Sequence, residues 1–166
     1  VPIDVLLPCD PQWPACFERL KRPPLSIQWR GRRGLLSLLS SQQAVAVVGT
    51  RRPSNHGLRM ADKLGRVLAQ AHWPVVSGLA EDIDAAAHRA CLRAGGSPVA
   101  VLGTPLQRVY PTEHRCLQKE VGKAGLLLTE LRDSERVTRS SFALRNRLLV
   151  AATKAVVVVE CPENSG

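Results

Sequence analysis

Aromatic side chains are scarce in this chain, whose 166 residues hold three Trp, two Phe and one Tyr. Its core must therefore be built from Val, Leu, Ile and Ala. No apolar run reaches the roughly 18 residues of a membrane span, and no basic amphipathic helix dominates. Both absences argue against a place in or on a bilayer. The first residues, Val1 to Pro8, lack the basic start and long apolar stretch of a secretory signal. The five cysteines (Cys9, Cys16, Cys91, Cys116 and Cys161) form no C-x-x-C pair. An odd, dispersed set without a signal predicts reduced thiols and a cytoplasmic location. His88/Cys91 and His114/Cys116 differ in spacing, a poor match to a zinc site, and no metal is expected. There is no G-x-G-x-x-G loop, no acid ending the second predicted strand to hold a ribose, and no G-x-x-x-x-G-K-[ST] loop. The usual dinucleotide site and P-loop hydrolysis are therefore unsupported, and no cofactor is expected.

The chain does have an excess of positive charge, 23 Lys and Arg against 14 Asp and Glu, a net +9. That balance attracts a polyanion, and without a membrane signal nucleic acid is the better partner. The length suits one domain. Residues 1–43 stand apart, with Pro2, Pro8, Pro11, Pro14, Pro23 and Pro24 and the basic residues Arg19, Lys21, Arg22, Arg30, Arg32 and Arg33. They read as a lead-in that packs on a main domain of residues 44–166, because Trp13, Phe17 and Trp29 need burial. A strand over 25–29 and a helix over 34–39 are expected there.

From Ala44 the pattern is regular. Apolar runs predict buried strands over 44–48, 74–77, 98–102, 125–129 and 155–160. Helical spacing places helices over 58–71, 83–94, 113–123 and 142–152. Strict alternation of this kind predicts an α/β fold, a Rossmann-like doubly wound, mostly parallel sheet with helices on both faces. Ligands of such sheets bind outside the carboxyl ends of the strands. The sequence closes within the last of those loops, where another helix is expected to follow.

The loops at that edge carry the candidate chemistry. The first reads Gly49-Thr50-Arg51-Arg52-Pro53-Ser54-Asn55-His56-Gly57. It lets the backbone turn close to a ligand, and the helix after it is expected to offer free N–H groups to an anion. Arg108, Arg132, Arg136, Arg139, Arg145 and Arg147 join Arg51 and Arg52, eight arginines and no lysine along one edge. The planar guanidinium fork suits phosphate. Arg132 and Arg136 sit beside acids and are expected to pair with them. Phe142, between Arg139 and Arg145, fits either a base-stacking surface or a helix-entry staple in the core. Asp84 and His88 share one helix face but have no accompanying nucleophile, so a buried pair is expected rather than a catalytic one. Glu130 and Glu160, each ending a strand, are expected to orient the arginines.

These residues resemble the DNA-processing protein A (Smf) family. The likeness rests on Val47-Val48-Gly49-Thr50-Arg51, Val75-Val76-Ser77-Gly78-Leu79-Ala80, Ile83-Asp84 and Ala87-His88. It continues through Tyr110-Pro111, Phe142 with Arg145-Asn146-Arg147, and Val158-Val159-Glu160 with Ser165-Gly166. The resemblance implies a cytoplasmic, non-enzymatic protein of natural transformation that binds incoming single-stranded DNA, protects it and helps load the RecA recombinase. RecA and a second copy of the chain are the protein partners it implies. Carried over by position, Arg51 contacts phosphate, Arg139 matches a basic position and Phe142 contacts a base. Ser77 and Gly78 line the same pocket, and Arg145, Asn146 and Arg147 form its wall. Two departures stand out. Glu81-Asp82 replace a basic residue and a glycine, and Ala143 replaces a frequent proline. The family's later helices, which support dimerisation, lie beyond Ser165-Gly166.

Two other readings use the same edge. A nucleotide-binding or nucleotide-cleaving Rossmann-like enzyme or sensor would bind a mononucleotide there, although the Pro-Gly-Gly…Glu loop of such enzymes is missing. A protein-docking domain with evenly spread charge would bind DNA weakly and without dependence on any one arginine.

Overall fold

The computed structural model describes residues 3–162, which leaves the Ser165-Gly166 pair outside the described residues. The Pro-rich stretch supplies two strands, β1 (Asp4–Leu6) and β2 (Ile27–Gly31), a 3₁₀ turn at Ala15–Phe17 and the short helix α1 (Leu35–Ser40). Strands and helices then alternate as β3 (Val45–Val48), α2 (Asn55–Gln70), β4 (Val75–Ser77), α3 (Ile83–Arg93) and β5 (Pro98–Val101). A 3₁₀ turn at Thr112–His114 leads into α4 (Arg115–Ala124), followed by β6 (Leu126–Thr129), α5 (Arg139–Ala151) and β7 (Ala155–Val158).

The seven strands form one sheet in the order β1-β2-β6-β5-β4-β3-β7. From β6 to β7 every pairing is parallel, whereas β1 and β2 add antiparallel strands at the β6 edge, with Trp29 opposite Leu128. The expected α/β architecture is therefore present, widened by two strands from the lead-in. The crossovers through α2, α3 and α4 all step the same way along the sheet, so right-handed connections put these helices on one face. The connection through α5 runs back past β3 to β7 and puts α5 on the other.

Side-chain alternation along the strands separates the two cores. Ala46, Val76, Val99, Val101, Leu126 and Leu128 join Leu148 and Leu149 of α5 and Leu35, Leu36 and Leu39 of α1. Trp13, Phe17 and Trp29 are buried in that same cluster, with the Trp13 and Phe17 rings edge-on at 6.2 Å. On the opposite face Ala100 and Leu127 meet Leu117 and Val121 of α4, while Val47 and Val75 meet Ala69 of α2 and Ala87 and Cys91 of α3. No described helix is long and apolar enough to cross a membrane.

Where boundaries differ from expectation, polar caps explain it. Ser54 accepts the Gly57 N–H at 3.0 Å and starts α2 three residues before its first large apolar side chain. Ser141 Oγ accepts the Thr138 N–H at 3.1 Å and starts α5 at Arg139 rather than at Phe142.

The helices α2 and α3 approach closely at Gly65, where a Cβ would run into the Ala87 carbonyl oxygen and lie 3.0 Å from the Ala90 Cβ. Gly65→Ala is expected to force the helices apart and cost about 1–3 kcal/mol despite its better helix propensity. A lowered urea midpoint at unchanged m-value is the expected readout.

Candidate nucleic-acid interface

The strand order reverses at β3. Its next strand in sequence, β4, lies on one side, and β7, reached from α5, lies on the other. The crevice outside the carboxyl ends of β3 and β7 is thus the topological switch point of the sheet. A cleft of about 680 Å³ opens there, lined by Gly49, Arg51, Ala80, Asp84, Arg139, Phe142, Arg145 and Asn146. Its other wall is apolar, from Leu149 and Val150 of α5 and Val156 and Val158 of β7. One face of α5 therefore supplies Arg139, Phe142, Arg145/Asn146 and Leu149 at successive helical turns.

The floor of the cleft holds two buried ionisable groups of opposite sign, Arg145 and Asp84, which feel each other's field without direct contact. Arg145 is 5% exposed, and its Nη1 donates to the Val101 carbonyl oxygen at the end of β5. Gly78 lies directly against the guanidinium, which a Cβ at that position would strike. Asp84, also 5% exposed, accepts the Gly78 N–H at 3.0 Å and the Ala80 N–H at 3.3 Å. Burial raises the Asp84 pKa, against the pull of Arg145 and the two amides. Burial likewise lowers the Arg145 pKa, and Asp84 opposes that fall. Each charge is thus the principal compensation for the other.

The rim is aromatic and cationic. Phe142 is half-buried, Tyr110 is 51% exposed, and their rings are 5.2 Å apart at 48°. The exposed Arg51 guanidinium lies 5.7 Å from the Phe142 ring centroid, within cation–π range. Phe142 also packs against Gly103, where a Cβ would come within 2.7 Å of the ring. Arg51, Tyr110 and Phe142 line a second, smaller recess together with Gly78, Ala80 and the exposed Glu81.

The structure brings most of the sequence-predicted residues together, but not all. Arg51, Arg139 and Asn146 are exposed on the cleft. Thr50 accepts the Arg52 N–H through its Oγ1 at 3.2 Å and shapes the turn, while Arg52 is exposed outside the cleft lining. Ser77 is fully buried and donates its hydroxyl to Val47 O at 2.6 Å, so it does not reach the cleft surface. Arg147 points away and pairs with Glu130 at 2.5 Å.

Of the N–H groups at the start of α2, those of Ser54 and Gly57 are engaged, and those of Asn55 and His56 have no partner among the described residues. The Glu160 carboxylate accepts from Ser54 N at 3.0 Å and from Ser54 Oγ at 2.8 Å, and a Cβ on Gly57 would collide with it. A carboxylate belonging to the fold thus sits at the head of α2, on its N-cap residue. The pairing expected for Arg132 and Arg136 is also absent among the described residues. Glu135 accepts the Arg132 backbone N–H at 2.6 Å, and neither guanidinium has an ion pair. Tyr110 and Gly103 were missed as site residues. Tyr110 had a signal, being the chain's only Tyr and lying in a loop at the carboxyl edge.

His88 and His114 are tied to backbone carbonyls, His88 Nε2 to Val99 O at 3.2 Å and His114 Nδ1 to Leu79 O at 3.0 Å. Neither is available as a solvent-facing base.

The fold is that of an α/β, Rossmann-like domain with a basic, aromatic-rimmed cleft at the switch point of its sheet. The family is specific: the sequence profile of DNA recombination-mediator protein A matches residues 4–166, and the chain belongs to that family. It is 37% identical to Protein Smf of Synechocystis over 161 residues, 97% of this chain and 40% of that protein. It is 30% identical to DNA processing protein DprA of Bacillus subtilis over 155 residues, 93% of this chain and 51% of that protein. The chain thus spans about half the length of the curated relatives it matches. The crystal structure of DprA from Streptococcus pneumoniae superimposes with a TM-score of 0.88 at 32% identity, covering 98% of this chain and 56% of that one. DNA processing protein A from Helicobacter pylori, which binds single-stranded DNA, superimposes with a TM-score of 0.83 at 29% identity, covering 98% and 71% of the two chains.

Arg145→Ala leaves the Asp84 carboxylate buried without its counter-charge and is expected to cost about 3–5 kcal/mol of stability. Arg51→Ala, at an exposed position, should stay within about 0.5 kcal/mol of the parent. Urea titration of both variants separates the arginine that builds the cleft from the one that faces its ligand.

His88 gives a pH signature. Burial lowers its pKa from 6.5 to about 4, so the unfolded chain takes up a proton before the folded one does. Its contribution is present above pH 6.5 and declines as pH falls toward 4. Between pH 7 and 5 the loss should be about 2 kcal/mol. The His88→Gln variant should show a correspondingly flatter pH profile of the urea midpoint, and a parallel profile would assign the loss to other groups.

Proposed function

We propose that the cleft binds single-stranded DNA without cleaving it. Arg51 and Arg139 contact backbone phosphates, and Phe142 with Tyr110 offers the surface on which a base stacks. The observation that carries this reading is the exposed Arg51 guanidinium set over the Phe142 ring, which itself pairs with Tyr110. A cation and a π-face then meet a nucleotide's phosphate and base at one point. Family membership and the DNA-binding relative from Helicobacter pylori support it. The burial of Asp84 and His88 supports binding over catalysis, because both groups are engaged within the fold.

On this reading Arg145 and Gly78 act through the shape of the cleft, and Asn146 adds a polar contact on its wall. The wider role follows from the family: a cytoplasmic protein of DNA uptake in natural transformation that protects incoming single strands and assists RecA loading, with self-association and RecA contact as parts of that role. The reading is tested by fluorescence anisotropy with oligo-dT at several salt concentrations. Arg51→Ala should weaken binding roughly tenfold and reduce the salt slope by about 0.7, the value of one phosphate contact. Tyr110→Ala should cost about 1–3 kcal/mol with the slope unchanged. Wild-type affinity in both variants would remove the cleft as the binding site.

A further inference from the structure

A second basic surface lies on the other side of the loop that carries Tyr110. A cavity of about 430 Å³ between α4 and β2 is lined by Arg30, Arg115, Lys119 and Lys123, over a floor that includes Leu106 and Leu127. Arg115, Lys119 and Lys123 recur at i, i+4 and i+8, so they share one face of α4 and extend over about 12 Å. No Asp or Glu lines the cavity, and none of its four cations forms an ion pair among the described residues. Like charges one turn apart weaken a helix, and Glu120, three residues before Lys123 on the same helix, forms no ion pair with the stripe among the described residues. Arg30 reaches it from β2, and its Nε is buried without a partner.

The groove adjoins the cleft. Val109 lines the groove, and Tyr110, the next residue, lines the recess with Arg51 and Phe142. Between them the loop is held by Thr104 Oγ1 donating to Arg108 O at 3.0 Å and by Arg108 N donating to Pro105 O at 3.0 Å. Arg108 itself is exposed. At this border Asp133 accepts from Gln107 Nε2 at 2.5 Å. The path from Phe142 over Tyr110 to α4 thus runs over one ordered loop between two cationic surfaces.

We infer that a single DNA strand held in the cleft continues across the Tyr110 loop into the α4 groove, where Arg115, Lys119 and Lys123 take further phosphates. The inference rests on the proposed function of the cleft and extends the footprint of that site. A flexible single strand follows the bend between the two surfaces, whereas a rigid duplex does not. Recognition in the groove is purely electrostatic, since no exposed aromatic lines it.

Anisotropy titrations of dT6 and dT20 against the wild type and an Arg115→Ala/Lys119→Ala/Lys123→Ala variant test it, with circular dichroism melts to establish that the variant is folded. Wild type should bind dT20 at least tenfold more tightly than dT6, with a salt slope steeper by about 2, as about three extra phosphates require. The triple variant should bind dT6 as wild type does and lose both the length gain and the added slope. Lys119→Arg/Lys123→Arg, which keeps the charge, should retain them. Wild-type behaviour of the triple variant with dT20 would overturn the inference, as would an equal loss with dT6 and dT20, which would make the groove the primary site. Failure of the wild type to bind either oligonucleotide would overturn the cleft reading and this extension together.

Discussion

Arg145 projects from the middle of α5 into the carboxyl edge of the sheet, where its guanidinium meets Val101 O, the Gly78 backbone and the field of Asp84. Four segments converge on that one group: α5, the end of β5, the β4–α3 loop and the start of α3. Such a charge is tolerated in the interior only because Asp84 compensates it, and Asp84 is held in turn by the Gly78 and Ala80 amides. The bond from Arg145 to Val101 O and its packing on Gly78 tie α5 to the sheet at the height where Phe142, one turn earlier, reaches the rim. The rim therefore inherits its geometry from a buried interaction that touches no ligand.

This division of labour bears on how the positive charge of the edge is read. Two of the eight arginines there are committed to the fold, Arg145 through burial and Arg147 through Glu130. The other six, Arg51, Arg52, Arg108, Arg132, Arg136 and Arg139, are exposed. Glu160 is likewise committed, as the carboxylate on Ser54 at the head of α2. The first residues of α2 do not line the cleft, so a phosphate entering it would meet exposed guanidinium groups, unlike the glycine-rich nucleotide loops in which backbone amides hold the phosphate. That arrangement suits a polymer bound by its backbone better than a mononucleotide bound by its terminal phosphate.

Much of this was legible in the sequence, and the rest was hidden for identifiable reasons. Continuous apolar runs such as 98–102 and 125–129 can be buried only on both faces, so the parallel sheet followed from them directly. The antiparallel edge followed only in part: a strand near β2 was expected over 25–29, but the three-residue β1 among prolines carries no periodic signal, so its pairing with β2 did not follow. Arg51, Arg139 and Phe142 could be placed because strand ends and helix starts converge on one edge in this topology. Ser77 and Arg147 could not, because inward or outward orientation at a strand end or on a helix depends on tertiary packing. Glu160 and the α2 terminus are about a hundred residues apart in sequence, and only the β3–β7 pairing brings them together.

The same logic explains the Glu81-Asp82 departure. Read as a sequence, two acids in a phosphate-facing loop oppose binding. In the fold Asp82 adopts φ +63° at the entry to α3, and Glu81 stands at the recess beside Arg51. A carboxylate there would compete with a phosphate for Arg51, although the two side chains form no ion pair among the described residues. Arg139, on the far side of Phe142 and outside that recess, has no such competitor. The two exposed arginines of the cleft are therefore not equivalent. Under the proposed binding mode Arg139 would supply attraction with no acid beside it, and Arg51, set over the Phe142 ring, the geometry.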